Sequence, residues 1–200
     1  MDTSLIAALR AQTGAGMMEV KKALDEAGGD KEKAIENLRK SGALKAAKKA
    51  DRATGEGIIG EYMHSNRKVA VLVELLCETD FVARNEQFVQ LGHDIAMHIA
   101  ANNPQYVSRA EVPENIVAKE KEVFLTEVQG KPADIAEKII TGKLDKFYSD
   151  VCLLEQKFLK DDSVTIEQHV QNNIAKIGEN IQVKRFCRMA LNSTSQVCGN

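Results

Sequence analysis

Apolar residues near the start of the chain recur at helical spacing and are broken up by glycines. Leu5, Ala8, Leu9 and Gln12 fall on one helical face, which ends at the turn Thr13-Gly14-Ala15-Gly16, where glycine permits a positive φ. A second helix carries Val20, Ala23, Leu24 and Ala27 on one side and stops at Gly28-Gly29. Asp30 caps a third, with Ala34, Ile35 and Leu38 inward and Gly42 as its end. Over 44–53 the pattern predicts a further helix, alanines on one side and Lys45, Lys48, Lys49 and Arg52 on the other. Gly55-Glu56-Gly57 marks a boundary, after which the period changes from helical to alternating.

The alternation predicts a strand over 58–63, a turn at 64–67 and a returning strand over 68–77. On the second strand Val69, Val71, Val73 and Leu75 share one face, and Ala70, Leu72, Glu74 and Leu76 the other. Apolar residues on both faces predict cover from both sides, by helices or by another subunit. Phe88, Leu91, Gly92, Ile95, Ala96 and Ile99 define a buried helix face, with His93 and His98 off it and not spaced as a metal pair. Pro113 opens a helix that runs to Gly130; Lys131-Pro132 restarts one, which Gly142 divides. Segment 153–162 reads as a loop anchored by Phe158 and Leu159, 164–177 as a helix stopped by Gly178, and 181–191 as a last strand.

The predicted class is α+β. Residues 1–53 form a three-helix module with its basic linker helix, and 54–191 a core in which a small antiparallel sheet is covered by helices; 192–200 is a polar tail. Three short helices bury only a small core, and the front unit resembles a ubiquitin-associated module, a fold that binds proteins and seldom catalyses. The net charge of −2 is divided unevenly: 11 basic and 8 acidic residues through Arg52, then 16 and 21. The net charge speaks against a general electrostatic nucleic-acid binder, and a basic front with an acidic body is a modest hint about partners. No apolar run approaches the ~20 residues that span a bilayer, so a soluble, cytoplasmic protein is expected. Cys77, Cys152, Cys187 and Cys198 are scattered without a C-x-x-C pair and read as free thiols, Cys77 and Cys187 packed as small apolar groups.

Catalytic equipment is scarce. No glycine-rich phosphate loop, nucleophile elbow or metal-ligand cluster is present, so neither an enzyme nor a cofactor is expected. Cys77, Asp80 and His93 make a thiol site only by chance proximity in sequence. The basic stripe over 44–53 either tracks phosphates or is a solvated linker face; without interleaved aromatics the second reading is favoured. More informative is the connection Glu78-Thr79-Asp80-Phe81-Val82-Ala83-Arg84-Asn85, which puts an acid and a large aromatic together between strand and helix. Phe81 either folds under its own helix or meets a partner. Gln12, Met17 and Met18 flank the first glycine turn, and the same choice applies: the methionines complete the small core or present an adaptable contact surface.

That connection resembles the signature of the elongation factor Ts family, nucleotide exchange factors of the translation GTPase elongation factor Tu. The string from Leu9 through Thr13-Gly14-Ala15-Gly16-Met17-Met18 to Leu24 resembles the family's amino-terminal signature. His98-Ile99-Ala100-Ala101 and Ile177-Gly178-Glu179-Asn180-Ile181 follow in the family's order, so the resemblance spans nearly the whole chain. It implies binding to elongation factor Tu, GDP-bound and nucleotide-free, with GDP release promoted by disturbing the partner's Mg²⁺/phosphate site. Gln12, Met17, Met18, Lys21 and Lys22 would grip the GTPase domain. Phe81 would act as an apolar wedge, Asp80 would orient the loop or bond the partner, and Thr79 and Val82 would shape the turn. With one such loop and one core-sized stretch, the chain resembles the family's short form, which implies a homodimer. Lys157 stands where the resemblance leads one to expect a proline. A ubiquitin-associated-like adaptor and an RNA-binding protein, both without exchange activity, are the competing readings.

Overall fold

The computed structural model describes residues 3–130, 132–193 and 197–199. Helices α1 (Thr3–Thr13), α2 (Met17–Glu26) and α3 (Lys31–Ala47) open the chain, followed by strands β1 (Glu56–Met63) and β2 (Val69–Cys77). A four-residue helix α4 (Asp80–Ala83) precedes α5 (Glu86–Asn102), α6 (Glu114–Glu127) and α7 (Ala133–Val151). Strands β3 (Lys157–Phe158) and β4 (Asp161–Thr165), helix α8 (Ile166–Ile177) and strands β5 (Gln182–Ala190) and β6 (Val197–Gly199) complete it. The class is α+β, as the pattern predicts. One sheet has the order β1-β2-β5-β6, and β3 and β4 form a second, two-stranded sheet. β6 runs antiparallel to β5, with Cys198 in register opposite Cys187, so part of the expected polar tail is a strand. Residues 194–196 and 200 of that tail, and Lys131 at the expected helix restart, lie outside the described residues.

Two compact units emerge, neither continuous in sequence. The first comprises Met1–Ile59, Leu75–Gly92 and Glu167–Gln182; the second comprises Gly60–Glu74, His93–Ile166 and Val183–Asn200. In the first, Leu9, Val20, Ala23, Leu24 and Ala34 form a closed apolar cluster between the three opening helices. Asp30 caps α3 as predicted, its Oδ1 accepting from the amides of Glu32 (2.9 Å) and Lys33 (3.1 Å). Gly42 does not end that helix. It is buried, and a methyl group built there would touch Ala175 of α8 at 3.7 Å, so packing carries the helix through a residue that costs about 1 kcal/mol in propensity. The basic stripe is therefore the last turn of α3 and the bend after it. Lys45 pairs with Glu19, the Lys49 ammonium donates to the Gly178 carbonyl (2.6 Å), and Arg52 lies 3.4 Å from Glu78. Among those cations only Lys48 matches the expected solvated face; the rest are engaged within the chain.

In the second unit the covered face of β2 presents Val71 and Val73, both fully buried, while Leu72 on the opposite face is 50% exposed. Two-sided cover is thus not seen among the described residues. On β5 the inward face carries Phe186, buried, and Arg188, whose guanidinium donates to the Ala100 carbonyl of α5. Ile95, Ala96 and Ile99 of α5 are buried as predicted, but His98, expected off that face, is completely buried with them. Three residues past Ile95 and seven past Leu91, it belongs on the same helical stripe. The 153–162 segment is a 3₁₀ turn followed by the β3–β4 hairpin, and β4 occupies the start of the expected 164–177 helix. Gly142 divides nothing: α7 runs through it with open space where a side chain would stand.

Candidate functional site

Thr79 is the hinge between β2 and the 78–85 connection. In an extended conformation (φ −130°, ψ 157°) it caps α4, its hydroxyl oxygen accepting from the Val82 amide at 3.4 Å. The base of this turn is held from a distant part of the chain. One oxygen of the Glu179 carboxylate accepts from the amides of Glu78 (3.1 Å) and Thr79 (3.0 Å), and the other accepts from the Thr79 hydroxyl (2.7 Å). Glu78 returns the contact, its carboxylate accepting from the Asn180 amide at 2.6 Å. The Asn180 side chain then donates to the carbonyls of Ala50 (3.2 Å) and Arg52 (2.9 Å). Three segments, 49–52, 78–79 and 178–180, are thereby tied together within the first unit. The Asn180 amide, with Arg52 adding its charge, holds the Glu78 carboxyl below the ordinary carboxylate range.

From that base the turn pushes Phe81 outward. Ala83 is buried and Val82 half-buried, but Phe81 is 81% exposed. The reading in which Phe81 folds under its own helix is therefore not the one observed. A ring left in water forgoes the roughly 1.5–3 kcal/mol that its burial supplies, and that gain stays available to a partner. Asp80 is half-buried and paired with Arg84, one helical turn on, at 3.0 Å. Asn85 caps α5, accepting from the Gln87 amide at 2.8 Å.

The second set of residues lies at the glycine turn between α1 and α2. Gln12, Lys21 and Lys22 are exposed, and so are Met17 (58%) and Met18 (74%). The methionines do not complete the small core, which Leu9, Val20 and Leu24 close without them. Gly14 has φ +68°, and a side chain there would run into the stem of Lys176, so the turn needs glycine for conformation and for space. Glu19, next to Met18, pairs with Lys45, which holds its carboxyl low.

Cys77, Asp80 and His93, the only thiol site the sequence suggests, are each engaged with other groups. Burial and the neighbouring Glu179 carboxylate push the Cys77 thiol up, so it stays protonated, with its hydrogen directed at the Thr79 carbonyl (3.2 Å). His93 is taken up by the Glu61 carbonyl at 3.0 Å. Among the described residues no three His, Cys, Asp or Glu side chains gather as a metal site. Every residue singled out from the sequence, at 12–22 and at 79–82, belongs to the first unit. Sequence reasoning reads Lys49 and Arg52 only as part of a basic stripe and gives Glu78, Glu179 and Asn180 no role of their own, although the 177–181 string carries part of the family resemblance. Its signal was a positive-φ glycine stop (Gly178, φ +93°) followed directly by an acid and an amide.

A family model described as elongation factor TS matches residues 7–173. An elongation factor Ts from Fervidobacterium nodosum is 58% identical over 193 residues, 96% of this chain and 98% of that protein. One from Thermosipho melanesiensis is 55% identical over the same shares. A third, from Geobacter metallireducens, is 55% identical over 92% of this chain and 86% of that protein. With a match across most of its length and relatives of nearly the same size, the chain belongs to the elongation factor Ts family of translation elongation factors.

Proposed function

We propose that this chain is a guanine-nucleotide exchange factor that binds elongation factor Tu and promotes release of GDP. The observation that carries this reading is Phe81, a large apolar ring held out in water on a turn whose base is fixed by three hydrogen bonds to one carboxylate. Bound GDP is retained partly through Mg²⁺ bridging its phosphates to the GTPase, so displacing the side chains around that cation weakens the nucleotide. Phe81 acts as the wedge and Asp80 engages the partner or steadies the turn, while Thr79 and Val82 shape it. The exposed surface of Gln12, Met17, Met18, Lys21 and Lys22 docks the GTPase domain. No bond is made or broken. The factor binds the nucleotide-free partner more tightly than the GDP form, and by linkage GDP is weakened by the same ratio. Such a protein works in the cytoplasm, without a cofactor and without direct contact to nucleic acid.

Phe81→Ala tests the wedge. Because the ring is 81% exposed, melting should barely move. Losing a packed aromatic contact at an interface costs about 2 kcal/mol or more, so stimulated release of labelled GDP should fall more than tenfold while binding survives in weakened form. Normal release by the variant would remove the basis of the mechanism.

A homodimer through the second unit is part of the same proposal. Leu72 and Met189 (57% exposed), with Met63 and Leu191, make the open side of its strands apolar, crossed by the Glu74–Arg185 ion pair. A second copy turned by a twofold axis presents the same surface in return and buries it isologously.

A further inference from the structure

Neither the docking surface nor the wedge uses the string Ile177-Gly178-Glu179-Asn180-Ile181, yet that string is what holds the 79–82 turn. Glu179 reaches Glu78 and Thr79 across 100 residues of chain and spends both oxygens there. The relay has two short steps. The Glu179 carboxylate accepts from the Thr79 amide and hydroxyl, and the Thr79 hydroxyl accepts from the Val82 amide, with Asp80 and Phe81 between them. Three donors converge on this carboxylate, a demand that an amide meets poorly, since half of its head group is itself a donor. Glu78 and Thr79 are only half-buried, so water would satisfy their amides if Glu179 were gone. What water cannot supply is a fixed direction for the turn.

We propose that Glu179 is a positioning residue for the exchange step: acting through Thr79, it sets the orientation in which Phe81 is presented. The proposal rests on the reading of 79–82 as the exchange loop. It separates Glu179 from the docking surface at 12–22, which contacts the partner directly, and from an ordinary structural contact, whose loss would lower stability and activity together.

The test uses Glu179→Gln in the full-length chain. Amide hydrogen exchange should quicken at least about tenfold around Val82 and Ala83. The maximal rate of GDP release should fall by about tenfold, with the half-saturating factor concentration changed by less than about threefold. Thr79→Val, which removes both hydroxyl bonds, should reproduce the effect if Glu179→Gln folds poorly, and Thr79→Ser should recover most of what Thr79→Val loses. Wild-type amide protection or a wild-type maximal rate in Glu179→Gln would overturn the proposal. So would losses of rate that simply track melting temperature across these variants and a destabilised control such as Gly57→Ala. Phe81→Ala measured alongside separates the two levels. If it is silent, the loop reading has failed; if it is impaired while Glu179→Gln is normal, only the positioning role has failed.

Discussion

His98 brings two ring nitrogens into a fully buried position, and both are used. The Leu159 amide donates to Nδ1 at 3.2 Å, so the proton sits on Nε2, which donates to the Gln156 side-chain oxygen at 3.0 Å. Gln156 in turn donates to the Asp150 carbonyl at 2.9 Å. Burial lowers the His98 pKa below its ordinary value, only partly opposed by the Gln156 bond. The unfolded chain therefore binds a proton that the folded chain refuses. This contribution to stability is fully present above about pH 6.5 and is lost as pH falls from there. Melting temperature should drop between pH 7 and pH 5, and His98→Phe should flatten that dependence. The same variant should cost about 2 kcal/mol or more at neutral pH, because the Leu159 amide and the Gln156 carbonyl lose their partner. An unchanged pH profile in His98→Phe would exclude the histidine as its source. His98 also marks a limit of pattern reading. A stripe defined by apolar residues passes over a polar one inside it, whereas Phe88, Leu91 and Ile95 on the same helix were legible at once.

Glycine shows the corresponding limit at the level of elements. Gly42 and Gly142 both read as helix ends, and both sit inside helices, because one glycine costs about 1 kcal/mol and neighbouring turns or packing can absorb it. Gly142 has open space around it, so Gly142→Ala should stabilise α7 by about 0.5–1 kcal/mol, seen as a higher denaturation midpoint of the helical signal. A lower midpoint would mean that the helix needs the glycine for a close approach. Gly57 is the opposite case. A side chain there would strike the β2 backbone at the Leu75 carbonyl and come within 2.9 Å of the Leu76 Cα, so Gly57→Ala should cost about 1–3 kcal/mol by overpacking. Equal stability of Gly57→Ala and wild type would contradict that close strand approach. The β3–β4 hairpin escaped the sequence because Lys157-Phe158 is too short to show a period and Asp161-Asp162-Ser163 is polar throughout.

For the whole molecule, assembly is the property most open to measurement. An isologous dimer needs roughly 800 Å² on each side, and the proposed contact draws on Leu72 and Met189. Light scattering at micromolar concentration should give twice the chain mass of 22.0 kDa, and the double variant Leu72→Glu, Met189→Glu should give the single mass without loss of helical signal. A monomeric wild type would end the dimer proposal. The composition and order of the elements were largely readable from the chain; the discontinuity of its units was not, since no local pattern announces which distant segments will meet. That discontinuity has a consequence for how the protein is born. Thr79 leaves the ribosome 100 residues ahead of Glu179, the residue that fixes it. While the intervening helices and strands are being made, the turn that carries Phe81 lacks its Glu179 anchor, and the front helices lack the Asn180 tie at 50–52. Domains fold as they are synthesised, so the opening helices can close their small core early, but the turn takes its working shape only near the end of translation. A nascent chain halted before Glu179 would carry every residue proposed to touch the partner and still lack the contact that aims Phe81.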